Sequence, residues 1–126
     1  MKKTVVFLVL AVGVGFLLQA FKPIPVPGPG IPEDVEAVLK TTCYGCHSSD
    51  ASGQKAKIAL NFDKWDNYKL TKKISKLDDI CELVTDNKMP PEKYLKSNPD
   101  KALSDEQKEL ICTWTGEETA KLMEGD

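Results

Sequence analysis

The 126-residue chain has one histidine, no arginine and no basic surplus, and each shortage excludes something. A single His rules out any catalytic or metal centre that needs two imidazoles. With 17 lysines against 19 acidic residues the formal charge is -2. A nucleic-acid binder needs a basic surplus to offset phosphates, so no nucleic-acid partner is expected. No segment alternates apolar and polar residues for long enough to predict a sheet. Apolar residues make up 41% and charged residues 29%, which excludes both a disordered polyanion and a multi-pass membrane protein. The length allows one small domain.

What is present begins with an export pattern. Lys2 and Lys3 precede an unbroken run of apolar residues and Gly over residues 5–18, the arrangement of a secretory signal. Leu18-Gln19-Ala20 offers a small residue for cleavage. If retained, residues 4–21 would reach ~27 Å as a helix, about the least that spans a bilayer. Residues 22–32 place five prolines in eleven positions, which excludes helix and sheet and favours extended polyproline backbone. Such a stalk holds a domain ~30 Å from a surface. A rigid spacer is useful only if the apolar segment stays embedded, so the balance favours association with the inner membrane over a released domain. No Cys lies nearby to carry a lipid. The expected division is a signal peptide or N-terminal membrane anchor over 1–21, a Pro-rich linker over 22–32, and a functional domain over 33–126. That domain is expected in the periplasm or otherwise outside the cytoplasm, where thiols are oxidised.

The domain reads as all-α, with about three helices. The first opens around Pro32 and Asp34, with acids at the positive end of the helix dipole, and runs into Cys43. The second covers about residues 69–85, where Leu70, Ile74, Leu77, Cys81 and Val84 form an apolar stripe. The third starts at Ser104, with Gln107 completing a capping box and Leu110, Ile111 and Trp114 on its apolar face. Residues 48–55 and Met89-Pro90-Pro91 read as loops. So small a core usually needs a staple: a disulfide, a metal or a large apolar cofactor.

Cys43-Tyr44-Gly45-Cys46-His47 is the Cys-x-x-Cys-His pattern of covalent haem attachment. Two cysteines three apart at a helix end can each bond one haem vinyl group. The next residue, His47, then falls beneath the porphyrin as an axial ligand. Three other readings use the same residues. A thioredoxin-type redox pair would need a βαβ surround, which is missing. A zinc module would need Cys43, Cys46 and His47 plus Cys81 or Cys112. A plain Cys43–Cys46 disulfide would leave His47 idle.

Bis-His ligation is impossible, and apart from Met1 the thioethers are Met89 and Met123. Met89 precedes two prolines that stiffen its loop, whereas Met123 lies near the C-terminus, so Met89 is the expected distal ligand. A His/Met pair raises the reduction potential and suits electron transfer, making the protein a carrier rather than an enzyme. An open sixth position would instead suit a haem sensor or weak peroxidase. Cys81 and Cys112 remain, either as buried thiols or as the one disulfide that an oxidising compartment favours. Phe62, Trp65, Tyr68 and Trp114 are core aromatics able to wall a haem pocket. Asn61 and Trp65 are candidate donors to a haem propionate.

Residues 32–115 resemble the bacterial haem-binding domain family of small exported c-type cytochromes. The resemblance rests on Cys43–His47, on Leu60-Asn61-Phe62-Asp63-Lys64-Trp65, on Lys88-Met89-Pro90-Pro91, and on Leu103-Ser104 leading to Trp114. It implies a small cytochrome c-like helical bundle around one covalently bound haem c. A short stretch between His47 and Asn61, together with Cys81 and Cys112, sets this chain apart from many relatives. Redox partner proteins are expected, and the charge is laid out unevenly for meeting them. Residues 55–76 hold seven lysines and two acids, and residues 77–126 hold six lysines and thirteen acids.

Overall fold

The computed structural model describes residues 30–125, and the apolar segment over 1–21 and the linker up to Pro29 lie outside the described residues. The domain division expected above is therefore read here only from residue 30 onward.

Five α-helices are present among the described residues and no strand. They are α1 (Glu33–Thr42), α2 (Gln54–Ala59), α3 (Leu70–Thr85), α4 (Glu92–Ser97) and α5 (Asp105–Glu124), with 3-10 turns at Phe62–Asn67 and Pro99–Lys101. The all-α expectation holds. The three expected helices are α1, α3 and α5, and the structure adds two six-residue helices in the connections between them, one overlapping the end of the 48–55 loop and the other directly after Met89-Pro90-Pro91. No described helix is long and apolar enough to cross a membrane.

Each long helix follows from its sequence. Pro32, with φ -60, stands at the start of α1, and Glu33, Asp34 and Glu36 occupy its first turn where the dipole favours them. Ser104 opens α5 with both halves of a capping box: Gln107 N–H donates to Ser104 Oγ (3.2 Å) and Ser104 N–H to Gln107 Oε1 (2.9 Å). The end of α3 is a Schellman motif. Lys88 N–H donates back to Leu83 O (2.9 Å) and Asn87 N–H to Val84 O (3.3 Å). Asn87 sits between them at φ 56, a left-handed conformation that Asn tolerates better than most residues.

The dominant packing is α3 against α5, with α1 laid on α5. Val35, Leu39, Phe62, Trp65, Leu77, Ile80, Val84, Ile111 and Trp114 form one core cluster. Leu77 and Ile111 are wholly buried, and burying side chains of that size stabilises the fold by roughly 1.5–3 kcal/mol each. The burial on α3 falls on Leu77, Ile80 and Val84, rotating the expected stripe so that Cys81 lies at its edge. Cys81 and Cys112 are joined as a disulfide linking α3 to α5, with Cα atoms 4.9 Å apart. Trp114 Nε1 donates to Gly30 O (3.1 Å), which pins the entering chain to α5.

Candidate haem site

The backbone keeps winding for one turn beyond α1. Cys43 N–H donates to Leu39 O (2.7 Å), Cys46 N–H to Cys43 O (3.1 Å) and His47 N–H to Cys43 O (2.9 Å). Leu39, Cys43 and His47 are spaced by four and lie one above another, and all three line the same cavity. Cys46 faces a smaller adjoining lobe. Neither Cys43 nor Cys46 is in a disulfide. Burial, and secondarily the neighbouring Cys46, pushes the Cys43 thiol up to about 11.

His47 is oriented from behind. Its Nδ1 lies 3.1 Å from Ala56 O and 3.1 Å from Leu60 O, the carbonyls at either end of the last turn of α2. Carbonyls only accept, so Nδ1 carries a ring proton, and in the neutral imidazole Nε2 is the nitrogen that keeps its lone pair. That is the tautomer a metal-binding imidazole requires, and a backbone carbonyl is a usual partner for the other nitrogen. Phe62 stands edge-on to the ring, with centroids 6.5 Å apart and planes at 85°. Phe62 N–H also donates to His47 O (2.9 Å), and Tyr44 stacks on the Phe62 ring at 5.2 Å.

The cavity has a main lobe of about 290 Å³ and a second of about 120 Å³, near the lower end of the ~300–1,000 Å³ typical of small-molecule sites. Cys43, His47, Val84 and Met89 line both lobes. Leu39, Phe62, Ile80, Leu83 and Ile111 make the main lobe apolar. Its charged groups are Lys76 and Asp79, paired at 2.8 Å and partly exposed. Such a chamber suits a large flat apolar group whose anionic tails reach water near a lysine.

Met89 reaches the cavity because the Schellman motif aims it there. Met89 N–H donates to Leu83 O (3.1 Å), and Lys108 Nζ of α5 donates to Asn87 Oδ1 (2.7 Å). The Met89–Pro90 peptide is cis. Met123 is 67% exposed and lines neither lobe, so among the described residues the cavity has one thioether, that of Met89. The disulfide lies behind the wall, since Ile80 and Ile111, next to Cys81 and Cys112, both face the main lobe.

Several expectations need correction. Of the four aromatics, Phe62 alone lines the cavity, while Trp65, Tyr68 and Trp114 pack among themselves behind it. The Asn61 amide donates to Ser49 Oγ (3.2 Å) and its Oδ1 accepts from Asp63 N–H (3.0 Å), so it caps a 3-10 turn. Trp65 Nε1 is buried without a partner among the described residues, and Trp65 does not line the cavity. The zinc reading loses its fourth ligand, because Cys81 and Cys112 bond to each other. Among the described residues no three His, Cys, Asp or Glu side chains converge. Sequence reasoning missed Lys76 and the carbonyls of Ala56 and Leu60. Lys76 lay in view within the lysine-rich segment, but backbone acceptors leave no mark in residue type.

A haem-binding domain pattern matches residues 51–117, more than half of the chain. The chain belongs to the haem-binding domain family, and haem is the cofactor this membership supports. The match takes in Met89, Cys81 and Cys112 and begins four residues beyond His47. Among curated proteins and among solved structures, no match was found.

Proposed function

We propose that the domain is a monohaem c-type cytochrome that carries electrons outside the cytoplasm and performs no bond chemistry on a substrate. The observation that carries this reading is the hydrogen-bonded His47, whose free Nε2 shares an apolar cavity with Met89, Cys43 and Cys46. Cys43 and Cys46 would hold the haem by adding their thiols across its two vinyl groups, sulfur to one carbon and hydrogen to the other. His47, through Nε2, and Met89, through its thioether, would be the two protein ligands of the haem iron. Haem bound in this way supplies a one-electron couple. The apolar wall from Leu39 to Ile111 would keep water from the ring, and Lys76, paired with Asp79, is the cation of the main lobe that could meet its carboxylate tails. Residues 1–21 direct export and, if retained, tether the domain to the membrane.

The test is an absorption spectrum of protein made in a host that matures c-type haem in its periplasm. Haem resisting acid-acetone extraction, with a low-spin reduced spectrum and a weak far-red sulfur-to-iron band when oxidised, is the expected result. Met89→Ala should abolish that band, lower the reduction potential and admit CO. Attached haem lacking the band in the unsubstituted protein removes Met89 from the site and revives the open-site sensor or peroxidase. A colourless protein overturns the cytochrome.

A further inference from the structure

The helix that holds His47 has a second side. Ala56 and Ala59 of α2 line the haem cavity, while Gln54, Lys57 and Ile58 line a separate open groove of about 340 Å³. The groove is completed by Ser49 and Asn61, and by Lys64, Tyr68 and Lys72 across from α2. A single short helix therefore separates the groove from the His47 imidazole, and that helix contributes a carbonyl to it.

Three lysines that no acid pairs among the described residues, Lys57, Lys64 and Lys72, meet in this groove. Six ion pairs occur among the described residues, and they involve Lys40, Lys76, Lys88, Lys96, Lys101 and Lys108. None involves the groove lysines Lys57, Lys64 or Lys72, and Lys55, Lys69, Lys73, Lys93 and Lys121 are likewise outside these pairs. The nearby acid Asp63 turns a carboxylate oxygen to the backbone N–H of Ser49 (2.7 Å) instead. Two of the three groove ammoniums are held in place: Lys57 Nζ donates to Ala51 O (2.9 Å), and Lys72 Nζ sits 4.2 Å over the Tyr68 ring. At the groove stands Ile58, 73% exposed and the most exposed large apolar side chain described. An apolar centre ringed by unpaired charge of one sign is how a transient protein interface is built, with the apolar contact giving stability and the charge giving steering.

We infer that the groove of Lys57, Lys64 and Lys72 around Ile58 is the docking surface for an acidic redox-partner protein, and that electrons cross on the His47 side through α2. This rests on the cytochrome reading and names its partner class. A protein surface fits better than a lipid one, because the groove is concave and offers one apolar side chain rather than a face of them.

The test uses the reduced holoprotein oxidised by ferricyanide at low ionic strength, with polyglutamate as the competing acidic chain. Lys57→Glu/Lys64→Glu/Lys72→Glu is compared with Lys93→Glu/Lys96→Glu/Lys121→Glu, which changes net charge equally on α4 and α5. The groove variant should slow ferricyanide oxidation on the order of tenfold, in the range of electrostatic steering, and the control about twofold or less. Polyglutamate should slow the unsubstituted protein and the control but not the groove variant. Equal slowing of both variants means the rate follows net charge and overturns the inference. So does lysine-dependent sedimentation with anionic phospholipid vesicles when polyglutamate has no effect on the rate, which assigns the face to a membrane. A normal haem spectrum alongside either failure leaves the cytochrome standing, whereas absence of haem removes both.

Discussion

Behind Met89 the cavity is backed by α3 and α5, of 16 and 20 residues, packed along their lengths and joined at Cys81 and Cys112. Behind His47 it is backed by a turn, a six-residue helix and a 3-10 turn, held by backbone hydrogen bonds and the Phe62 ring. A helix as short as α2 has no stability of its own. It persists because Leu60 and Phe62 beside it are anchored in the core. The wall carrying the thioether thus draws its rigidity from burial and a covalent link. The wall carrying the imidazole draws it from Leu60 and Phe62 in the core and from a few polar contacts that also set the tautomer. One element needs a sulfur brought to a place, and the other needs a ring held at an angle.

The sharpest break in the imidazole wall is Phe62→Ala. Phe62 is 4% exposed and touches Tyr44, His47 and Trp65, and large aromatic truncations in cores cost about 3–5 kcal/mol. Denaturant unfolding should show that loss, and the iron should lose its uniform low-spin state as His47 loosens. On the other wall, Cys81→Ser with Cys112→Ser opens a loop of 31-residue separation. The chain-entropy model gives about 3–4 kcal/mol for that. Here the unfolding midpoint should fall while the spectrum at low temperature stays unchanged. If the sulfur-to-iron band weakens as well, the disulfide positions Met89 and the two walls are less independent than their construction indicates.

Before haem attachment the same contrast is readable at a thiol. The Cys43 thiol is pushed up to about 11 from 9.0 by burial, then by Cys46. The folded chain therefore holds its proton more tightly than the unfolded one, and the haem-free domain should lose stability as pH rises from 9 towards 11. At pH 8 Cys43 should be alkylated on the order of a hundredfold more slowly in the folded haem-free chain than in denaturant. Equal rates would mean that the turn after α1 opens freely until haem closes it.

How much of this was legible in the sequence follows the same division. The helices α1, α3 and α5 announced themselves because apolar spacing, an acidic first turn and the Ser104–Gln107 box are written in residue types. By contrast α2 and α4 bury no residue and have no side-chain cap, so neither periodicity nor capping marks them. Cys43, Cys46, His47 and Met89 were singled out by chemistry and spacing, and the structure sets all four along one two-lobed cavity. Which atoms orient the imidazole was not, because Ala56 and Leu60 act through carbonyls that every residue has. The aromatics misled for the opposite reason: Trp65 and Trp114 look suited to a haem wall, but their size is used to join the 3-10 turn to α5.

The end of α3 offers the finest test, because there a single backbone conformation serves the thioether wall. Asn87 at φ 56 lets Lys88 and Met89 both return their N–H groups to Leu83 O. A β-branched residue cannot hold that conformation without strain, so Asn87→Val should cost about 1–2 kcal/mol. It also removes the acceptor of Lys108 Nζ. Asn87→Gly removes the same acceptor but keeps the conformation without strain, so the two variants separate the turn from the hydrogen bond. With Val the sulfur-to-iron band should diminish, and with Gly it should persist at nearly native stability. A band lost equally in both would place the control of Met89 in the Lys108 contact, and so in α5 rather than in the turn.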